Sequence, residues 1–144
     1  MQVRHGGLVL DVPSDWLDQS SLLFVAPRAA STLPSAVKVS SPVESLAVRT
    51  VVVDAGVSAR ALLDADNAAL ASVDASADLV SEGALGAGYQ RVHRVTLLGH
   101  PLRQVSFALV VGELAVLATA TCAEARYASV KAELEAMLVA IRVG

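Results

Sequence analysis

The chain has 144 residues, is 54% hydrophobic with only 3% aromatics, and carries a formal net charge of −3. That length gives room for one domain with its own core, and an acidic chain whose arginines are scattered argues against a nucleic-acid partner. Gly112 and Glu113 interrupt the most apolar stretch, Phe107 to Cys122, so it falls short of the roughly 18 apolar residues of a membrane-spanning helix.

The first apolar run, Leu8 to Val12, ends at Pro13 and reads as a short strand. It follows Met1 to Gly7 without the long apolar core of a secretory signal, so a cytoplasmic location is expected. The single cysteine, Cys122, excludes an intrachain disulfide and fits a reducing compartment. Trp16 follows Pro13; its indole reads as a core anchor, with direct partner contact as the alternative. Leu22 to Val25 reads as a second strand stopped by Pro27, and Val37 to Ser40 and Val48 to Val53 as two more.

Gly56 and then Ser58, a candidate N-cap, open a first helix that runs to Val73. Leu62, Leu63, Leu70 and Val73 share its apolar stripe, and Arg60 and Asp64 have the spacing of an outward (i, i+4) pair. Gly83 to Gly88 reads as a flexible turn, Tyr89 to Leu98 as a strand, Gly99-His100-Pro101 as a turn, and Leu102 to Val111 as the next strand. Thr121 and Glu124 have capping-box spacing ahead of a second helix. Its stripe is Tyr127, Val130, Leu134, Met137, Leu138 and Ile141, and Arg142 supplies a cation at its C-terminus. Strands, helix, strands, helix predict an α+β fold: a mainly antiparallel sheet with two principal helices packed on it, in one domain spanning residues 1–144.

Gly112-Glu113, between two apolar runs, suits a two-residue hairpin turn with glycine first. The register then sets Val111 opposite Leu114, Leu109 opposite Val116, Phe107 opposite Ala118 and Val105 opposite Ala120. One face, with Val105, Phe107, Leu109 and Val116, reads as core. The other carries Gln104, Ser106, Ala108 and Val110 with Ala115, Leu117, Thr119 and Thr121. Its small residues let another backbone approach closely, and its Gln, Ser and Thr can bond to it. It reads either as an ordinary amphipathic solvent face or as a docking surface for an apolar helix or segment.

Val12 to Ser20, the pair Gly99-His100, the segment Arg103 to Phe107 and the run Val116 to Thr121 resemble, in the same order, the DcrB-like family. The resemblance implies a PsbP-like fold. Trp16-Leu17-Asp18-Gln19-Ser20 and Arg103-Gln104-Val105 also resemble the effector-associated (Eag) chaperones of type VI secretion. The resemblance to that group implies a homodimer, without a cofactor, that shields the N-terminal hydrophobic helices of a secretion effector before loading onto the spike protein. It maps the family's client-bonding glutamine onto Gln104. The first helix lacks the glutamine such chaperones can use as a second contact, and the faces of Arg91, His93 and Arg94 are not evident from the sequence. A DcrB-like structural or regulatory partner without a membrane-helix client is the alternative. On the docking reading, Gln104→Ala or Leu117→Asp is expected to weaken client binding while leaving the fold intact.

Catalytic and metal readings find less support. His5, His93 and His100 could serve a hydrolase, but no Gly-x-Ser-x-Gly elbow accompanies them, and no catalytic residue is assigned. Metal binding would need clustered ligands at suitable spacing, and Cys122 stands apart from the histidines. Gly83 to Gly88 resembles a phosphate loop only in glycine count, since a strand-like segment follows it. A binding protein, neither enzyme nor membrane-embedded, is expected.

Overall fold

The computed structural model describes residues 2–5, 8–11, 13, 21–25, 44–73 and 76–143. Trp16, Asp18 to Ser20 and the expected strand Val37 to Ser40 lie outside them. Strands β1 (Gln2–His5) and β2 (Leu8–Asp11) pair antiparallel as a separate two-stranded sheet.

The main sheet holds β3 (Ser21–Val25), β4 (Ser45–Val52), β5 (Asp78–Leu85), β6 (Gly88–Leu97), β7 (His100–Val111) and β8 (Leu114–Ala123). Its order is β3-β4-β8-β7-β6-β5, with every neighbouring pair antiparallel. Helix α1 (Ala59–Val73) links β4 to β5, and α2 (Tyr127–Val139) follows β8 through a 3-10 turn at Glu124–Arg126. The architecture is the α+β arrangement expected from the sequence.

Strands β5 to β8 form a meander because each joint is a two-residue turn that tolerates positive φ. Gly112 has φ +63° ahead of Glu113, the sign pattern of a turn with glycine required at its first position. The resulting register pairs Val111 with Leu114, Leu109 with Val116, Phe107 with Ala118 and Val105 with Ala120. At the preceding joint the turn is Leu98-Gly99, at φ 51° and 79°, one residue earlier than the sequence suggests. His100 and Pro101 belong to β7, opposite Leu97 and Thr96. Proline is tolerated there because pairing with β8 begins only at Leu102.

The expected flexible turn over Gly83 to Gly88 is smaller than that. Gly83 to Leu85 complete β5, only Gly86-Ala87 turns, and Gly88 opens β6. A Cβ on Gly88 would clash with the Phe107 ring and the Ala108 carbonyl. The glycine therefore lets the aromatic ring lie against backbone.

Neighbouring residues on β7 face opposite sides, and each side has its own helix. On the Phe107 side, Val105, Phe107, Leu109, Val116, Ala118, Ala120 and Cys122 pack with Val130, Leu134 and Leu138 of α2. Leu138 is wholly buried, a contribution on the order of 1.5–3 kcal/mol for such a side chain. Met137, by contrast, is exposed. On the Ala108 side, Leu63 of α1 packs on Ala108 and Leu117.

Helix ends follow the expectation at two places and depart from it at one. Ser58 Oγ accepts the Ala61 N–H at 3.1 Å, so the first helix has its side-chain cap. Arg142 donates to the Val139 and Ile141 carbonyls at 2.6 and 3.0 Å, satisfying the C-terminus of α2. The capping box does not form: Thr121 stays within β8, and α2 begins only at Tyr127 with no side-chain cap. Glu124 instead binds Arg103 through both oxygens, at 2.6 and 2.9 Å, and accepts from Arg94 at 3.3 Å. The Arg103 guanidinium also lies 4.8 Å from the centre of the Tyr127 ring.

Candidate docking face

The α1 side of the sheet is a set of cross-strand rows, since directly paired residues share a face. Val51, Ala115 and Val110 form one row, and Arg49, Leu117, Ala108 and Tyr89 the next. Ala47, Thr119, Ser106 and Arg91 follow, and then Ser45, Thr121, Gln104 and His93. The first two rows are mainly small and apolar; the last two carry most of the hydrogen-bonding groups.

Helix α1 lies over the apolar end. Leu63 has no exposed surface against Ala108 and Leu117, with Val51, Ala59, Leu62 and Tyr89 packed around them. Ion pairs fix the helix on both flanks. Arg49, from β4, reaches Asp66 at 2.8 Å. Arg91, from β6, reaches Asp64 at 2.6 Å and Asn67 at 3.3 Å. Arg60 approaches Glu82 of β5 at 3.3 Å, so Arg60 and Asp64 bond to the sheet and not to each other as their spacing suggested. The Tyr89 hydroxyl donates to Glu82 at 2.7 Å, and this bond to a carboxylate, then burial, raises the phenol's pKa.

The eight residues expected to form one docking surface are therefore divided. Ala108, Ala115 and Leu117 are buried, Ala108 and Leu117 beneath Leu63, so in this structure they pack the chain's own helix. Leu117→Asp would place a carboxylate against Leu63, and the expectation that this variant leaves the fold intact is corrected. Gln104, Thr119 and Thr121 stay partly exposed, Val110 likewise at the far end, and Ser106 is fully buried.

Two of the three basic side chains that the sequence left unplaced join this face. Arg91 and His93 share the rows of Ser106 and Gln104, whereas Arg94 is on the α2 side with Arg103 and Glu124. His93 is only 8% exposed, and burial, then the charge of Arg91, lowers its pKa from 6.5, so the imidazole is neutral at pH 7. Among the described residues, three buried polar atoms on this face have no hydrogen-bond partner: His93 Nδ1, Ser106 Oγ and Arg91 Nε. Arg91 Nε lies 3.3 Å from Glu82, near enough for charge attraction but without hydrogen-bond geometry.

Elsewhere, an apolar recess of about 360 Å³ opens among Phe107, Leu109, Val111, Val139 and Ile141, with Arg142 the charged group that lines it among the described residues. It lacks the convergent polar groups that would mark a small-molecule site. Cys122 is buried with its thiol pKa raised by burial and by Glu124, which makes it a poor nucleophile. Among the described residues, no three His, Cys, Asp or Glu side chains gather as metal ligands, and no helix is long and apolar enough to cross a membrane.

Comparison with known proteins bears on the fold alone. No family model matches the chain, and no curated protein does. A solved Pseudomonas aeruginosa protein of unknown function, PA94, suggested to be a regulator, superposes with a TM-score of 0.67 at 14% identity. The match covers 100% of this chain and 96% of that one. Cyanobacterial PsbP (CyanoP) from Synechocystis superposes with a TM-score of 0.50 at 16% identity over 90% of this chain and 95% of its own. The fold is PsbP-like.

Proposed function

We propose that this chain is a non-enzymatic binding domain that holds an apolar segment of a partner protein against the polar rows of its α1-side face. The observation that carries this reading is that Gln104, Thr119 and Thr121 remain partly open beside the patch of Ala108 and Leu117 that Leu63 covers. An apolar segment exposed to water costs roughly 25 cal/mol per Å². A surface that removes it from water must also satisfy any peptide groups it brings, and carboxamide and hydroxyl side chains do so without adding charge.

The motifs shared with the Eag chaperones make the N-terminal hydrophobic helices of a type VI effector the partner we favour, held in the cytoplasm by a homodimer of this chain. The second reading, a DcrB-like structural or regulatory domain without such a client, draws on the fact that α1 already fills the apolar rows. Co-expression with an effector's N-terminal fragment separates them. The chaperone reading expects the fragment to stay soluble and co-purify with the wild-type chain, and to do so much less with Gln104→Ala. A fragment that precipitates with both, or stays soluble equally with both, overturns it.

A further inference from the structure

The opposite side of the sheet has a concave site of its own. Where β7 ends beside the C-terminus of α2, the apolar recess of about 360 Å³ is lined by Phe107, Leu109, Val111, Val139 and Ile141, and by the Gly86-Ala87 turn. Its volume falls within the range of ligand pockets, about 300–1,000 Å³. Val111 is 50% exposed and Val139 40%, and the row of Val111 continues through Leu114 to exposed Val52. Exposed apolar groups gathered around a concavity, unlike scattered ones, mark a binding surface.

The chemistry of the lining selects the occupant. A polar metabolite would find too few bonding groups there, whereas an aliphatic chain needs none, and water loosely held against such walls is displaced by one at a gain. The charge comes from Arg142. Its Nη1 donates to the Val139 and Ile141 carbonyls, which fixes the guanidinium at the rim beside two of the lining residues. Among the described residues no carboxylate pairs with it, although Arg49, Arg60, Arg91, Arg94, Arg103 and Arg126 each have one. The end of a helix carries roughly half a negative charge, so a whole cation leaves this rim positive.

We propose that the recess binds a single-chain aliphatic carboxylate, with its tail among Phe107, Leu109, Val111 and Val139 and its head on the remaining guanidinium nitrogens of Arg142. A carboxylate accepts from these donors in charge-assisted hydrogen bonds, and an ammonium head has nothing to accept with. At the low end of the ligand-pocket range, the recess suits one chain and not the paired chains of a bilayer lipid. The site lies across the sheet from the α1-side docking face, so either can fail without the other.

The test titrates decanoate and decyltrimethylammonium, equal chains with opposite charges, into the full chain below their micelle concentrations. Methyl NMR shifts of Val111, Val139 and Ile141 report binding. Decanoate is expected to shift all three and to bind about tenfold more tightly than the ammonium, the low end for a charged hydrogen bond. Arg142→Gln should bring the two affinities within about twofold, while Arg142→Lys keeps most of the difference. Val111→Asp, at a half-exposed position, should abolish decanoate binding with an unchanged circular dichroism spectrum. Decanoate without effect on these methyls overturns the proposal, as does equal binding of both probes by wild type, a comparison that needs no variant. A difference that folded Arg142→Gln retains overturns it as well. A wild-type dimer that Val111→Asp splits, with decanoate inert, gives the recess to a second copy and also overturns it.

Discussion

The two sides of this sheet are built from the same strands yet do opposite things with their residues. Beneath α2, a continuous set of apolar side chains closes on Val130, Leu134 and Leu138. Beneath α1, the buried apolar cluster among the described residues is Leu63, Ala108 and Leu117, and the remaining rows turn polar. Among the described residues, α1 is held by one fully buried leucine and flanking ion pairs, a lighter attachment than a seat in a continuous core. The α2 side therefore carries the continuous core, and the α1 side keeps polar side chains partly open.

Three experiments probe that contrast, in order of expected size. Leu138→Ala and Leu63→Ala remove the same atoms from wholly buried sites. We expect a loss of about 4 kcal/mol for the first and about 2 kcal/mol for the second in urea unfolding, because a sparse cluster relaxes around the cavity more easily. A cost for Leu63→Ala equal to that for Leu138→Ala would remove the asymmetry.

The next concerns Glu124, whose pKa is depressed from 4.5 chiefly by its hydrogen bond to Arg103. A depressed carboxylate contributes stability that is present above pH 4.5 and is lost as the pH falls through its folded value. Glu124→Gln should flatten that part of the acid limb of the stability curve, by less than the core truncations because the pair is partly exposed to solvent. An unchanged acid limb would contradict the assignment.

The smallest effect belongs to His93. Its folded pKa is lowered from 6.5, so the unfolded chain binds the proton more readily; the stability is fully present above pH 6.5 and declines as the pH falls toward the folded value. His93→Gln should remove that decline between the two values. A histidine titrating at or above 6.5 by NMR would place the ring in a more polar setting than the α1 side provides.

How much of this was legible in the sequence follows from the range of each signal. The β7–β8 register could be read because one turn, Gly112-Glu113, and a period of two fix it locally. Ser58 and Arg142 were legible for the same reason: each bonds backbone within three residues. Strand β5 was not, because its polar and glycine-containing segment Ser81-Glu82-Gly83 lacks strand alternation and is held by pairing with β6. The capping box misled because alternation continues through Thr121 and Cys122, where the buried Cys122 keeps the segment in the sheet, while Arg103, a distant residue, claims Glu124. The division of the docking face was also out of reach. Which rows Leu63 covers depends on a helix placed by residues from five different strands: Arg49, Glu82, Arg91, Ala108 and Leu117.

The central claim is that partners dock on the polar rows of the α1 side. Backbone and side-chain NMR shifts of the labelled chain, followed while a lysine-flanked Leu/Ala helical peptide is added, test it most directly. The account predicts the largest changes at Gln104, Thr119, Thr121 and His93, with Leu109, Val111 and Ile141 of the opposite recess unaffected. Changes centred on that recess, with the polar rows silent, would contradict it.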